Sequence, residues 1–508
     1  MPTPKQNPYE KLTGLSKRAA IYTSISHLLA WDQETKMPKE AIGLRCEQNE
    51  LIASLIHKEQ TSPEFAKTLC SLIDIETGAI LDPALSPRQM AALREWRRDY
   101  LHASKLPTKF VEEFAKATSA ANHVWQEARP KSDFKTFQPH LEKIVELNQK
   151  KADILGYQDH PYDALVDSFE PEMNTATLAT LFERLKFPLM TLLKMIQTKP
   201  DPDVSFLEKD YPHKKQIDFS KQLLIDMGFE KGFSRLDESA HPMCVPIHPK
   251  DMRMTTRIHP NNVLSNILSC AHEGGHGLYH IQLPVEHFGT PLCDSASLGI
   301  DESQSRTWET IIARSLPFWE HYFPILQSYF PEQLGSVSLD DFYKAINIVE
   351  PSMIRVESDE VAYNLHVLLR FELEIALIEG TLKVSDIPDA WNEKMRDYLS
   401  ITPKAHSEGC MQDIHWAMGA FGYFPTYTLG NLYAAQFFEA FTQDHPKWKE
   451  RLAKGELQFV SDWQKQNIHR FGREFLPEEL CEKVTGHPLS EKPFIHYLEN
   501  KYKPLYRL

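Results

Sequence analysis

Apolar residues recur at three- and four-residue steps through almost the whole chain, separated by short Pro- or Gly-rich breaks. One face of an α-helix repeats every 3.6 residues, so this spacing commits the chain to amphipathic helices packed on one another. The first stripe runs Leu12, Leu15, Ala19, Tyr22, Ile25 and Leu29 and ends near Met37-Pro38. Similar stretches cover about 42–75, 86–103, 108–128, 137–155, 175–198 and 214–227, and return at about 261–280, 301–326, 339–349, 358–380, 384–399, 409–419, 428–441 and 456–469. The texture changes only between Glu238 and Pro260, where HPMCVPIHPKDMRMTTRIHP is rich in Pro and β-branched residues. That segment reads as short strands or extended chain beside a cleft. With no repeat, low-complexity tract or linker, the expectation is one mainly α body over 1–508: helical over 1–230, short strands or loop over 231–260, and helical again over 261–508.

A chain of 508 residues with 42% hydrophobic and 25% charged residues can build a large core. Its 56 Lys and Arg against 70 Asp and Glu give a net charge of −14, which disfavours a phosphate-binding surface and hence nucleic acid as a partner. Seven cysteines, odd in number and never spaced CxxC, point to reduced thiols rather than a disulfide framework. MPTPKQNPYEKLTG lacks the apolar core of a signal peptide, and no window approaches eighteen consecutive apolar residues. The expected address is the cytoplasm, with no membrane partner.

The chemistry concentrates in NNVLSNILSCAHEGGHGLYH, where His272, Glu273 and His276 form HExxH within a helical pattern. Leu264, Ile267, Leu268 and Ala271 supply the buried stripe upstream. Histidines four apart stand one turn above each other, so both imidazoles can reach one Zn²⁺. Glu273 can then hydrogen-bond a metal-bound water, the division of labour that peptide hydrolysis needs. Gly274 and Gly275 each cost about 1 kcal/mol against Ala inside a helix, an expense that fits close approach of another backbone or a substrate. A catalytic zinc also needs a third protein ligand and one open position. Glu302, in GIDESQSRTWE at the start of another helical stretch, is the first candidate; Asp301 and His280 compete with it.

These residues resemble the zinc metallocarboxypeptidases of the thermostable carboxypeptidase Taq type. The family's segments recur in order: an HPF-like His241-Pro242-Met243, a DxRxT-like Asp251-Met252-Arg253-Met254-Thr255, the HExxH helix, an HESQ-like Asp301-Glu302-Ser303-Gln304, an IRxxAD-like Ile354-Arg355-Val356-Glu357-Ser358-Asp359, and GxxQDxHW as Gly409 to Trp416. WDQETKMP at 31–38, HPYDALVDSFEPEM at 160–173 and FGYFPTYTLGNLYAAQ at 421–436 also look like family segments. The resemblance implies a helical molecule with a deep groove, a small sheet at its wall and a homodimer. Met243, Asp301 and Ser358 depart from the family pattern at positions where Phe, His and Ala are usual. An anionic Asp301 cannot donate a hydrogen bond as His can, which bears on the surroundings of Glu302.

The expected activity is release of C-terminal amino acids from peptides with a free C-terminus, using Zn²⁺ held by His272, His276 and Glu302, with Co²⁺ or Mn²⁺ as substitutes. Glu273 is the expected general base. His415, Tyr423 and Tyr427 are the candidates to stabilise the oxyanion, Tyr427 first. An Arg fork suits a terminal carboxylate, and Arg253 and Arg355 sit in family-like motifs, with Arg257 third. His241, Asp251, Thr255, Asp359, Gln412 and Asp413 complete the substrate-binding set that the resemblance implies. An oligopeptidase cutting internally and an inactive peptide-binding protein are the alternatives.

Overall fold

In the computed structural model, which describes residues 7–229 and 232–508, helices dominate on both sides of one small sheet. Residues 230 and 231, where the sequence reading turned from helix to strand, lie outside the described residues. The chain opens with α1 (Pro8–Thr35), α2 (Ile42–Gln60), α3 (Pro63–Cys70) and α4 (Pro87–Lys105). Local chemistry fixes their starts: Asn7, Ser62 and Ser86 each cap a following helix that carries Pro in its first turn.

The sheet joins β1 (Ser234–Glu238), β2 (Met243–His248) and β3 (Asp251–Thr256) in the order β1-β3-β2. β1 runs parallel to β3 and β2 antiparallel to it, with Val245 opposite Arg253. Pro246 fits on β2 because an edge strand has no outer partner for the missing N–H. Its carbonyl is met from outside by His27 Nδ1 of α1 at 2.7 Å. The inner face of the sheet, Met252 and Met254, packs into the core. There it meets α5 (Val263–Gln282), the helix that carries HExxH. Asn262 caps α5, and buried Asn266 ties it down, accepting from Thr256 Oγ1 at 2.8 Å and donating to Ser220 Oγ at 2.7 Å. Beyond it lie α6 (Leu298–Arg306), α7 (Ala362–Glu379) and α8 (Pro425–Asp444).

Three expectations change. Residues 409–419 form successive turns, not a helix. Gly419 and Gly422 take positive φ there, and Glu374 of α7 fastens the segment by accepting from Trp416 Nε1 at 2.8 Å and Gly422 N at 3.0 Å. The stretch 301–326 is broken: α6 passes into a π-turn over Thr307–Ile312, and a new helix, Leu316–Tyr329, starts at the Ser315 cap. The first stripe is buried only at its beginning. Leu12, Leu15 and Ala19 are inside, whereas Ile25 is exposed, because the second half of α1 leans on the sheet edge rather than on a core.

The apolar interior is divided. A large core spans most of the chain from Ala121 onward, while Leu12, Leu15, Phe65, Leu69, Leu93 and Trp96 belong to a smaller one formed by α1, α3 and α4 with Leu292. Polar stitches join the two. Arg473 reaches from the large body to Glu95 at 2.7 Å and Asp99 at 2.8 Å on α4.

Candidate active site

The site begins where α5 and α6 cross. Neither Gly275 nor its neighbour across the crossing has room for more: a Cβ on Gly275 would stand 2.5 Å from Ser305 Cα and 2.6 Å from Gln304 O. The glycine therefore serves contact with another backbone, one of the two reasons anticipated for it. On the far side of α6, Gly430 of α8 does the same, since its Cβ would lie 2.5 Å from Glu302 Cγ. The two glycines thus let α6, which carries Glu302, approach both α5 and α8 closely.

Glu302 Oε2 lies 3.9 Å from His272 Nε2 and 3.6 Å from His276 Nε2. These gaps are too long for hydrogen bonds. They match the separation, about 3.4 Å, of two ligands that each stand about 2.1 Å from a tetrahedral ion. Carboxylates hold the other ring nitrogens: His272 Nδ1 sits 2.8 Å from Glu309 Oε2 and His276 Nδ1 2.6 Å from Asp301 Oδ1. Because a carboxylate only accepts, both Nδ1 atoms carry the proton and both Nε2 lone pairs face Glu302. Among the described residues these three form the group of His, Cys, Asp and Glu side chains arranged to hold a metal ion. The donor set, two imidazoles and a carboxylate with oriented outer partners, fits a catalytic divalent site.

Asp301 and His280, the competing ligands, stand one layer out: His280 Nε2 bonds the second oxygen of Asp301 at 2.9 Å. An acceptor is what His276 requires there, so the missing donor capacity of Asp301 leaves His276 held. Glu309 was not anticipated. It stands in the π-turn that follows α6, and Arg306 donates to it at 2.6 Å. Burial and these neighbours act in opposite directions on Glu309, and Arg306 and His272 prevail, holding it below the usual carboxylate range. Glu273 is buried beside the pair, and burial raises its pKa above the ordinary value. Cys244 lies on β2, the edge strand that packs against α5, and burial with the charges of Glu273 and Asp301 pushes its thiol up.

A second cluster forms around the irregular segment. Arg355, 3% exposed, donates through Nε and Nη2 to Asp413 Oδ1 at 3.2 and 2.9 Å and through Nη1 to Tyr363 Oη at 2.7 Å. Its guanidinium carbon stands 4.7 Å over the Tyr427 ring. Arg370 pairs with the other Asp413 oxygen at 2.6 Å. Gln412 accepts from Arg355 N at 2.8 Å and donates to Met353 O at 3.0 Å, bracing the loop. His415 Nε2 meets Tyr427 Oη at 3.1 Å, and burial drops the His415 pKa to about 4. Burial also raises Tyr423 to about 12 and Tyr427 well above the ordinary phenol value, so both stay protonated donors. Arg306 joins this cluster to the histidines, standing 5.2 Å over the Tyr363 ring while it donates to Glu309, the partner of His272.

Among the described residues no side-chain hydrogen bond joins the remaining expected residues to either cluster. Arg253 pairs with half-exposed Asp251 at 3.0 Å through Nη2 and stacks 4.8 Å over Trp31 of α1. Thr255 is buried and receives Met243 N at 3.0 Å, while His241 is exposed in the turn before β2 and Arg257 is exposed just past β3. Asp359 accepts from Val361 N and Ala362 N at 2.8 and 3.0 Å and from Glu350 N at 3.2 Å, anchoring the start of α7. Burial lifts its pKa to about 6.

The family model described as Carboxypeptidase Taq (M32) metallopeptidase matches residues 11–502. The chain belongs to that family. Among its M32 relatives, Thermostable carboxypeptidase 1 of Thermus thermophilus is 44% identical, with 98% of this chain and 99% of the relative covered. Carboxypeptidase 1 of Bacillus subtilis is 38% identical, covering 98% and 99%. The crystal structure of the M32 carboxypeptidase from Deinococcus radiodurans R1 superposes with a TM-score of 0.95 at 33% identity, covering 99% of this chain and all of the other. M32 enzymes are metal-dependent peptide hydrolases, and this chain is one of them.

Proposed function

We propose that the protein releases single amino acids from the free C-terminus of peptides, with Zn²⁺ held by His272, His276 and Glu302. The observation that carries this reading is the convergence of two Nε2 atoms on one Glu302 oxygen at 3.6 and 3.9 Å, with both Nδ1 atoms tied to carboxylates. A divalent cation there supplies Lewis acidity toward water and the scissile carbonyl. Co²⁺ and Mn²⁺ suit the same donors. Glu273, raised by burial, takes the proton of the attacking water and returns it to the leaving amine. His415, neutral, donates through Nε2 to Tyr427 Oη, which leaves the Tyr427 O–H free to meet the oxyanion. Tyr423 is the neighbouring donor, its ring 5.4 Å away.

For the terminal carboxylate, Arg253 is the accessible fork. Its Nε and Nη2 pair with Asp251, which is 41% exposed, but its Nη1 has no partner among the described residues, whereas every nitrogen of Arg355 is already engaged. Arg355 and Asp413 then position Tyr427. Seven free thiols, and no helix among the described residues long and apolar enough to cross a membrane, support a cytoplasmic address. One catalytic unit per chain, paired as a homodimer, completes the proposal.

The test compares one short peptide as free acid and C-terminal amide, with products read by mass. The amide should lose roughly tenfold to a hundredfold in kcat/KM, from one charge-assisted contact and a misplaced scissile bond. Equal cleavage of both would establish internal cutting instead.

A further inference from the structure

His272, His276 and His280 share one face of α5, each a turn beyond the last. Two point their Nε2 atoms at Glu302, and the third points its Nε2 at Asp301. His280 Nε2 stands 2.9 Å from Asp301 Oδ2, and the other oxygen of the same carboxylate stands 2.6 Å from His276 Nδ1. Asp301 is buried, and among the described residues no other donor reaches its carboxylate. We propose that His280 is a positioning residue of the metal centre, fixing Asp301 so that His276 stays aimed at the ion. This rests on the ligand reading above.

Asp301 can only accept, so both histidines donate to it and each has one tautomer. His276 must carry its proton on Nδ1, which keeps the Nε2 lone pair opposite Glu302. A carboxylate held by one donor is free to turn about its Cβ–Cγ bond. Two donors on separate oxygens fix its plane and, through it, the His276 ring. Without His280, Oδ2 would lose its fixed donor, and a carboxylate met on that side only by exchanging water holds its remaining partner less firmly in line.

The fold also makes His280 approachable. A cavity of about 400 Å³ opens beside it, walled by Leu15 and Ala19 of α1, Pro246 of β2, Leu283 and Phe288. This is ample for a five-membered ring. His280→Ala would extend the cavity up to Asp301, so that added imidazole could take the place of the missing ring.

The experiment uses the full-length protein and measures metal affinity by competition with a chelating dye, alongside kcat and KM. His280→Ala should weaken metal binding about tenfold, at the low end for outer partners of a ligand, with KM unchanged at saturating metal. Millimolar imidazole should restore most of that loss, judged against the wild type in the same imidazole. His280→Gln, whose amide can donate to Asp301, should bind metal within about threefold of wild type, while His280→Leu, similar in bulk, should lose as much as His280→Ala. Wild-type affinity in His280→Leu overturns the proposal, as does a loss equal in His280→Gln and His280→Leu. Failure of imidazole to rescue a folded His280→Ala also overturns it. His276→Ala separates the layers: if it keeps its metal, the ligand reading falls; if it loses metal while the His280 variants bind normally, only the role of His280 falls.

Discussion

Replacing Gly275 with Ala tests whether the helix crossing sets the metal geometry. The added carbon would stand 2.5 Å from Ser305 Cα and 2.6 Å from Gln304 O, and both obstacles are helix backbone. Ordinary carbon contacts lie at about 3.5–4.0 Å, so α6 must withdraw by roughly 1 Å. Overpacking of this kind costs about 1–3 kcal/mol, and Ala returns about 1 kcal/mol through its helix preference. The net loss of stability is therefore modest, about 0–2 kcal/mol. The loss at the site is larger, because Glu302 sits one turn before Ser305 and moves with it. A ligand displaced by that amount should weaken metal binding on the order of tenfold to a hundredfold. Denaturant midpoints give the first quantity and dye competition the second. Gly274→Ala is the control, since its carbon would meet the flexible ends of Met227 and Leu224 and not a backbone. If Gly275→Ala bound metal as the wild type does, or Gly274→Ala lost as much, the crossing would not be what fixes Glu302.

Glu273→Gln should keep its metal yet lose about 10²–10⁴-fold in kcat, because an amide cannot take the proton; near-normal turnover in a metal-replete sample would remove Glu273 from the mechanism. Glu309→Gln should weaken metal binding about tenfold, since Arg306 loses its counter-charge and His272 its anionic partner; dialysis followed by metal analysis reads the change. Burial lifts Glu374 from 4.5 to about 7, so the folded state holds its proton more tightly than the unfolded chain. Its contribution to stability is full below pH 4.5 and is lost as pH rises through about 7. Glu374→Gln, neutral throughout, should show a flatter fall in Tm over that window, and identical slopes would contradict the shift.

The HExxH helix and its glycines were legible because periodicity and spacing are local properties. The carboxylate in α6 was legible as an acidic residue opening the next helical stretch. Glu309 was not, because the stretch after Arg306 is a π-turn whose register no 3.6-residue pattern describes. The false helix at 409–419 has a similar origin. Its apolar residues do enter the core, but Glu374 and the positive-φ glycines hold them in turns, and Glu374 lies some forty residues upstream. β1 falls within the 231–260 segment expected as short strands or loop, but its pairing was not legible, because its partner β3 is reached only across the β2 hairpin and SRLDE has little apolar character. The engagement of Arg355 by Asp413 and Tyr363 is likewise a long-range fact, and it changes what that arginine can do.

The division of the interior into two cores has a bearing on motion. Cooperative units open with free energies that follow the apolar contacts each must break, and the smaller unit opens first. The wall formed by α1 belongs to the smaller core, whereas α5 and α6 belong to the larger. Amide hydrogens along α1 should therefore exchange through partial opening, while those of the HExxH helix wait for global unfolding. The ligand triangle can stay in place when the first helices open, because those helices have a core of their own.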